Sequence, residues 1–378
     1  MIPMFVVGLL VAHNPHKHTV TVDSYHMAAQ AWWSGQNLYV GPSGMNYLPH
    51  FAVLFSPFHF LPFTLGEILW RYCAAATLAV GLWRLARAVF GAQAEQAFFW
   101  MTILTLPLSM ASLRNGNANA LFGGVCLLAI AASLEKRWTL GIFWMALSIA
   151  LKPLGIVLLG LASLYFVPVI RRLPAAIIAL AIFPFLFGSP HYVWGQEREA
   201  WINLRACATV TEHRFADFNG ILRTFGSPLS GGSSTIVRAA AGVLTAVIWL
   251  WGARRITTEA TQNLWLYALA TGYLMLFNPM TEANSYVILA PALAAWAVYF
   301  LLDEESASRA KGWTVAAIVL GMGLLPNLVR WFVFSGSYFA LFWHPLMTIL
   351  FLLLLTQFVA RRQASSPSVV AVRSGRCA

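Results

Sequence analysis

Residues 49–63 read P-H-F-A-V-L-F-S-P-F-H-F-L-P-F. The run is apolar, yet it carries two histidines and three prolines. At about 1.5 Å per residue it is short for a hydrocarbon core of roughly 30 Å. Whether it crosses a bilayer sets the side on which every later segment ends. Other apolar windows fall near residues 1–12, 66–83, 96–113, 118–134, 138–151, 153–170, 173–188, 235–253, 263–279, 284–302, 312–331 and 338–360. If 49–63 stays on one side and the N-terminus starts inside, six basic pairs share the inner face. They are Arg84 and Arg87, Lys136 and Arg137, Arg171 and Arg172, Arg254 and Arg255, Arg309 and Lys311, and Arg361 and Arg362. The positive-inside rule expects that distribution, and a crossing would move the later pairs outside. The sequence therefore predicts an interfacial or re-entrant helix over 49–63 and twelve spans, with both termini cytoplasmic.

Composition gives the same class. Hydrophobic residues make up 59% of the 378, charged residues 10%, and mean hydropathy is +0.69. Soluble domains carry roughly 25% charge, so this chain is expected in a membrane. Long continuous apolar windows require helices and exclude the alternating strands of a barrel. The +11 charge reports topology and gives no reason to expect nucleic acid. Cys73, Cys126, Cys207 and Cys377 are scattered, without metal or disulfide spacing. The first window is half a span, and no small-residue cleavage site follows it. With no internal repeat, residues 1–362 are expected to form a single transmembrane domain with outer loops 13–65 and 189–234. Residues 363–378 read as a disordered cytoplasmic tail.

On this topology all nine histidines lie outside, together with Asp23, Lys152, Arg114, the asparagines of 115–119, Glu282 and Asn284. Helix centres are nearly free of charge. A transporter usually keeps ionisable groups at the midplane of repeated halves. An enzyme acting on a lipid-borne substrate needs them at one interface, beside an apolar wall for the lipid. The pattern favours the enzyme. A transporter or flippase for a lipid-linked or small solute is the alternative.

The ordered series D-S-Y-H-M-A-A-Q-A-W-W-S-G-Q-N-L-Y (23–39), N-Y-L-P-H-F-A-V-L-F-S-P-F (46–58), L-W-R-Y (69–72), R-N-G-N-A-N-A-L (114–121), A-L-K-P (150–153) and N-P-M-T-E-A-N-S-Y (278–286) resembles glycosyltransferase family 87. Asn117 stands where that family commonly has glutamine, and Glu282 and Asn284 where histidine is common. The resemblance implies an all-α polytopic helical bundle of the GT-C type. It further implies an inverting transfer of a hexose, with mannose expected, from a polyprenyl-phosphate donor. The acceptor would be a glycolipid or glycan on the outer face of the cell (inner) membrane. Another GT-C-type envelope polymerase or ligase is a further alternative.

In such a transfer the acceptor hydroxyl loses its proton as it attacks the anomeric carbon, which calls for a carboxylate base. The resemblance assigns this to Asp23. Capping of a helix beginning near Tyr25 is the other reading of that residue. A departing phosphate calls for fixed cations. Lys152 ranks first, then Arg223 and Arg114, with contact to lipid head groups as the competing role. Tyr25, His26, Asn115, Asn117, Asn119, Glu282 and Asn284 are expected around the sugar and acceptor, although at least one of the asparagines reads as a helix cap. The histidine run 13–18 lacks the further ligands a zinc site needs, and no Asp-x-Asp pair lies on the outer side. No metal and no cofactor are expected.

Overall fold

The structure is a computed structural model that describes residues 19–40, 45–209, 215–303, 306–332 and 339–361. The first apolar window, the histidine run 13–18, Arg214 and the tail lie outside them.

Among the described residues the chain is helical, without strands. A π-helical turn, Thr21–His26, runs into α1 (Met27–Trp33). Then come α2 (Pro49–His59), α3 (Phe63–Phe90), α4 (Ala94–Asn115), α5 (Asn119–Leu134), α6 (Trp138–Leu151) and α7 (Gly155–Ser163). They are followed by α8 (Val167–Ile182), α9 (Pro190–Ala208), α10 (Phe218–Thr224), α11 (Gly231–Arg255) and α12 (Glu259–Phe277). A 3₁₀ turn (Ala283–Ile288), α13 (Ala290–Leu301), α14 (Ser306–Phe332) and α15 (Phe339–Arg361) complete the described chain.

Among the described residues, five helical stretches are long and apolar enough to cross a membrane: Phe63–Asn115, Val167–Leu186, Gly231–Arg255, Ser306–Val329 and Phe339–Arg361. The protein is an integral membrane protein. Helix α2 has 11 residues, about 16 Å, and cannot span. The 153–170 window does not form one span as expected. Helix α7 stops after 9 residues, and α8 restarts at Val167 with Pro168 in its first turn, where proline is tolerated. The α6 and α7 pieces form a short hairpin, with Trp138 and Phe166 ring centroids 5.7 Å apart at its base and Lys152 at its tip.

The apolar all-round helices α5, α12 and α13 are sequestered at the centre, as such helices must be. Helices α8 and α11 instead expose Ile177, Ile178, Val243 and Val247, which suits contact with hydrocarbon. Backbone contact between α3 and α5 depends on glycine. A Cβ on Gly81 would sit 2.7 Å from the Gly124 carbonyl oxygen, and one on Gly124 would sit 2.6 Å from the Leu78 nitrogen. Small residues at such crossings let membrane helices approach closely.

The two ends of the bundle differ in charge. Arg84 pairs with Glu135 at 2.5 Å, Lys136 with Glu259, and Arg172 donates to Thr139 at 3.3 Å. Several of the basic pairs that the sequence places on one side thus meet at one end. Helix α6 leads away from that end to Lys152.

Candidate functional site

At the tip of the α6–α7 hairpin lies a cavity of about 330 Å³. Its polar lining comes from Asn46 and Tyr47 of the first loop, Asn117 and Asn119 at the entry to α5, Lys152, and Asn278, Glu282 and Ser285 beyond α12. Pro153 cannot supply an amide to continue α6, so Lys152 adopts extended backbone (φ −150°, ψ 132°). Gly155 then lies tight against Ser148, where a Cβ would meet Oγ at 2.2 Å. This break aims the lysine into the cavity.

Lys152 is 8% exposed. Its ammonium donates to Asn119 Oδ1 and lies 5.1 Å from the centre of the Tyr47 ring. Burial lowers its pKa from 10.5 to about 8, opposed by the attraction of Glu282. Asn119 Nδ2 donates to Asn284 Oδ1 and Ser285 Oγ, each at 3.3 Å, and Asn284 Nδ2 donates to Glu282 Oε2 at 3.0 Å. A cation and a carboxylate are therefore joined through two amides on one wall. A lysine has three donors, and only the bond to Asn119 is spent within this chain of contacts.

The asparagines divide their roles. Asn117 Oδ1 accepts from the Asn119 amide at 3.1 Å, a local bond just ahead of α5, while Asn115 Oδ1 accepts from the Val20 amide at 3.4 Å. Between them Gly116 ends α4 in the left-handed conformation (φ +69°), where glycine is unstrained. Its carbonyl accepts from Trp70 Nε1 at 2.6 Å. Tyr25 is fully buried behind the cavity. Its hydroxyl accepts from the Ala118 amide at 3.1 Å and meets that of Tyr47 at 3.0 Å.

Asp23 lies inside the π-helical turn, which begins at Thr21, so it does not cap a helix near Tyr25. It is half-buried and is not among the cavity's lining residues, whereas Val20 of the same segment is. Short π segments recur at functional sites. A buried cluster holds this one. Glu67 Oε2 accepts from Thr21 Oγ1 at 2.8 Å and from Arg71 Nη1 at 2.6 Å. Glu67 Oε1 pairs with His26 Nε2 at 3.2 Å, and His26 Nδ1 faces His59 Nδ1 at 3.2 Å. Glu67 and Arg71 are 0% and 1% exposed. His26 thus serves the cluster, not the cavity lining as expected. Sequence reading missed Glu67 because α3 scores as an apolar window, although an acid four residues before an arginine is a pairing signal on a helix.

Two expected phosphate ligands lie elsewhere. Arg114 is exposed at the end of α4 and is not among the cavity residues. Arg223 is turned to its own loop: Nη2 donates to the Phe215 carbonyl at 2.6 Å and to Asp217 Oδ1 at 3.1 Å. Asp217 also caps α10 by accepting from the Gly220 amide at 2.8 Å, so a buried pair organises this turn. Among the described residues no three His, Cys, Asp or Glu side chains are grouped to hold a metal ion.

A model of glycosyltransferase family 87 matches residues 46–279. The chain is 27% identical over 323 residues to a protein of Mycobacterium tuberculosis named polyprenol-phosphate-mannose-dependent alpha-(1-2)-phosphatidylinositol mannoside mannosyltransferase, covering 76% of this chain and 72% of that one. It is 26% identical over 285 residues to a second protein of that species, a polyprenol-phosphate-mannose-dependent alpha-(1-2)-phosphatidylinositol pentamannoside mannosyltransferase, covering 72% of this chain and 62% of the relative. Among solved structures it is similar to ArnT from Cupriavidus metallidurans bound to undecaprenyl phosphate, with a TM-score of 0.45, 16% identity and coverage of 96% of this chain and 77% of that one.

Proposed function

From the premise that the chain belongs to glycosyltransferase family 87, we propose that this membrane glycosyltransferase moves a hexose, mannose in the first instance, from a polyprenyl-phosphate donor to a glycolipid or glycan acceptor. The donor requirement and a phosphatidylinositol mannoside acceptor are in the names of the relatives. The observation that carries the reading is Lys152, a nearly buried cation with donors to spare, facing a carboxylate and a wall of amides. The fold is a GT-C-type bundle with the cavity on the outer face, opposite the basic end.

Three groups divide the chemistry. Lys152 stabilises the phosphate as negative charge develops on the departing oxygen, a role best filled by a fixed donor in a site poor in water. Asn119 orients that cation, its own amide being spent on Asn284 and Ser285. Asp23 takes the proton of the acceptor hydroxyl as its oxygen attacks the anomeric carbon from the face opposite the phosphate. The anomeric configuration inverts, and the lipid phosphate leaves.

A second reading gives the base to Glu282, which lines the cavity where Asp23 does not. Donor, acceptor and purified protein reconstituted in liposomes decide both points. Mass spectrometry should find a hexose-extended acceptor, and solute accumulation without product would instead establish a transporter. If Asp23→Asn abolishes transfer while Glu282→Gln retains it, Asp23 is the base, and the reverse pattern reassigns the role to Glu282.

A further inference from the structure

A cleft of about 600 Å³ lies where the end of α1 meets the start of α9. Trp32, Trp33 and Tyr192 form its aromatic side, and Ser189, His191 and Gln196 its polar side. Bonds to the surrounding structure fix the three rings. Trp32 Nε1 donates to the Phe187 carbonyl at 3.2 Å, Trp33 Nε1 to Ser56 Oγ at 2.7 Å, and the Tyr192 hydroxyl to the Gln36 carbonyl at 2.7 Å. Trp33 is still 47% exposed. Glycines keep the space open. A Cβ on Gly35 or Gly195, both in the lining, would meet no atom within 4 Å.

Gln196 supplies the polar signal. It is 6% exposed, and its Oε1 accepts from the Leu38 amide at 3.0 Å. Its Nε2, which carries two hydrogens, has no partner among the described residues. A nearly buried amide with unspent donors calls for an incoming oxygen. Fixed aromatic faces beside such donors suit a saccharide. The C–H groups of a pyranose pack on the electron-rich face of a ring, and its hydroxyls answer the polar groups. A hydrocarbon chain in the same place would leave Gln196 without a partner.

The first loop and α9 join this cleft to the polar cavity. Tyr192, Gln196 and Asn203 bond in turn to Gln36, Leu38 and Met45, the last through Asn203 Nδ2 to the carbonyl at 2.9 Å. The same helix then gives Leu204 and Cys207 to the cavity, beside Asn46 and Tyr47. From Gln196 to Leu204 is about 12 Å along the axis, at roughly 1.5 Å per residue.

We infer that the cleft is a saccharide subsite that holds the non-reacting sugars of an oligosaccharide acceptor while the reacting hydroxyl lies in the polar cavity. The inference rests on the glycosyl-transfer reading. A monosaccharide acceptor is confined to the cavity, so only an extended acceptor gains from the cleft.

Kinetics in liposomes with mannosyl and tetramannosyl forms of one glycolipid test this. Gly195→Leu fills the cleft from a helical position where a side chain is unobstructed. Trp33→Ala removes the exposed ring. Gln196→Glu keeps an acceptor for the Leu38 amide and removes the unspent donors. Each variant should raise KM for the tetramannosyl acceptor about tenfold, the scale of one lost anchoring contact. The kcat, the donor KM and the KM for the mannosyl acceptor should not change. Trp201→Ala, an exposed tryptophan of α9 outside cleft and cavity, is the control and should alter none of these. Equal effects on both acceptors, or none on either, overturn the inference. Photolabelling of the wild-type protein by mannotetraose with a diazirine on its reducing-end sugar gives a second readout without turnover. Labelled peptides from α1 and the first half of α9 are expected, and labelling confined to α5, α6 or α12 overturns the inference. Absence of product from both acceptors with the wild-type protein would instead overturn the glycosyl-transfer reading, on which the photolabel does not depend.

Discussion

Lys152 carries a charge whose cost of burial is visible. Desolvation holds it at about 8, against the pull of Glu282, so the free enzyme loses this cation as pH rises through that value. A phosphate ligand needs the charged form. The kcat/KM for the donor should therefore fall above about pH 8, since this ratio reports the free enzyme's ionisations. Lys152→Arg keeps a cation at every accessible pH and should remove the alkaline limb while lowering the plateau. An alkaline limb that survives in this variant would show that another group titrates. Arg223 makes a useful contrast, being committed to Phe215 and Asp217. Arg223→Ala should lower thermal stability in detergent by about 1–3 kcal/mol, with donor KM unchanged. A large rise in that KM would return Arg223 to the list of phosphate ligands.

The element that matters most is the π-helical turn that carries Asp23, together with the glycine corner beneath it. Thr21 and His26 tie the turn to Glu67, and Arg71 completes the cluster. Removing the acid's charge with Glu67→Gln should lower kcat tenfold or more while donor KM barely changes, because a small misplacement of a reacting group is costly in rate. Equal losses in kcat and in folded protein would mean that the cluster only stabilises the fold. Gly116 sits at the same junction. A methyl group there would lie 2.6 Å from Thr21 Cγ2 and 2.9 Å from Arg71 Nη2, at a φ of +69°. Gly116→Ala should destabilise by about 1–3 kcal/mol. Gly160→Ala, in a helix with nothing within 4 Å, should be neutral or slightly stabilising. Thermal denaturation of the pair separates corner strain from a general intolerance of change.

At the scale of the molecule, the basic pairs at one end and the cavity at the other give a prediction about sidedness. In a Cys207→Ser background, Asn46→Cys at the cavity rim should react with an impermeant maleimide added to intact cells. Lys136→Cys should react only after permeabilisation. The opposite pattern would place the cavity in the cytoplasm and exclude an outer-face transfer.

By itself the sequence determined the class of the protein, its helical character, and a series of motifs that converge in part. Continuous hydrophobicity leaves no other spanning structure when backbone groups must be satisfied internally. A Lys-Pro break between two apolar runs marks a polar group at a helix end. The chain order of Asn119, Lys152 and Glu282 gave no distances, yet these three line one cavity. Only the tertiary structure decided which cations were free to serve a ligand. Arg223 and Lys152 look alike as isolated letters, and they differ because a buried aspartate lies beside one and not the other. Tertiary structure also turned Glu67 and Arg71 from charges in an apolar window into the anchor of the first helical turn. Pair energies in a low-dielectric interior depend on separations of a few ångströms, and those separations are set by packing between helices far apart in the chain.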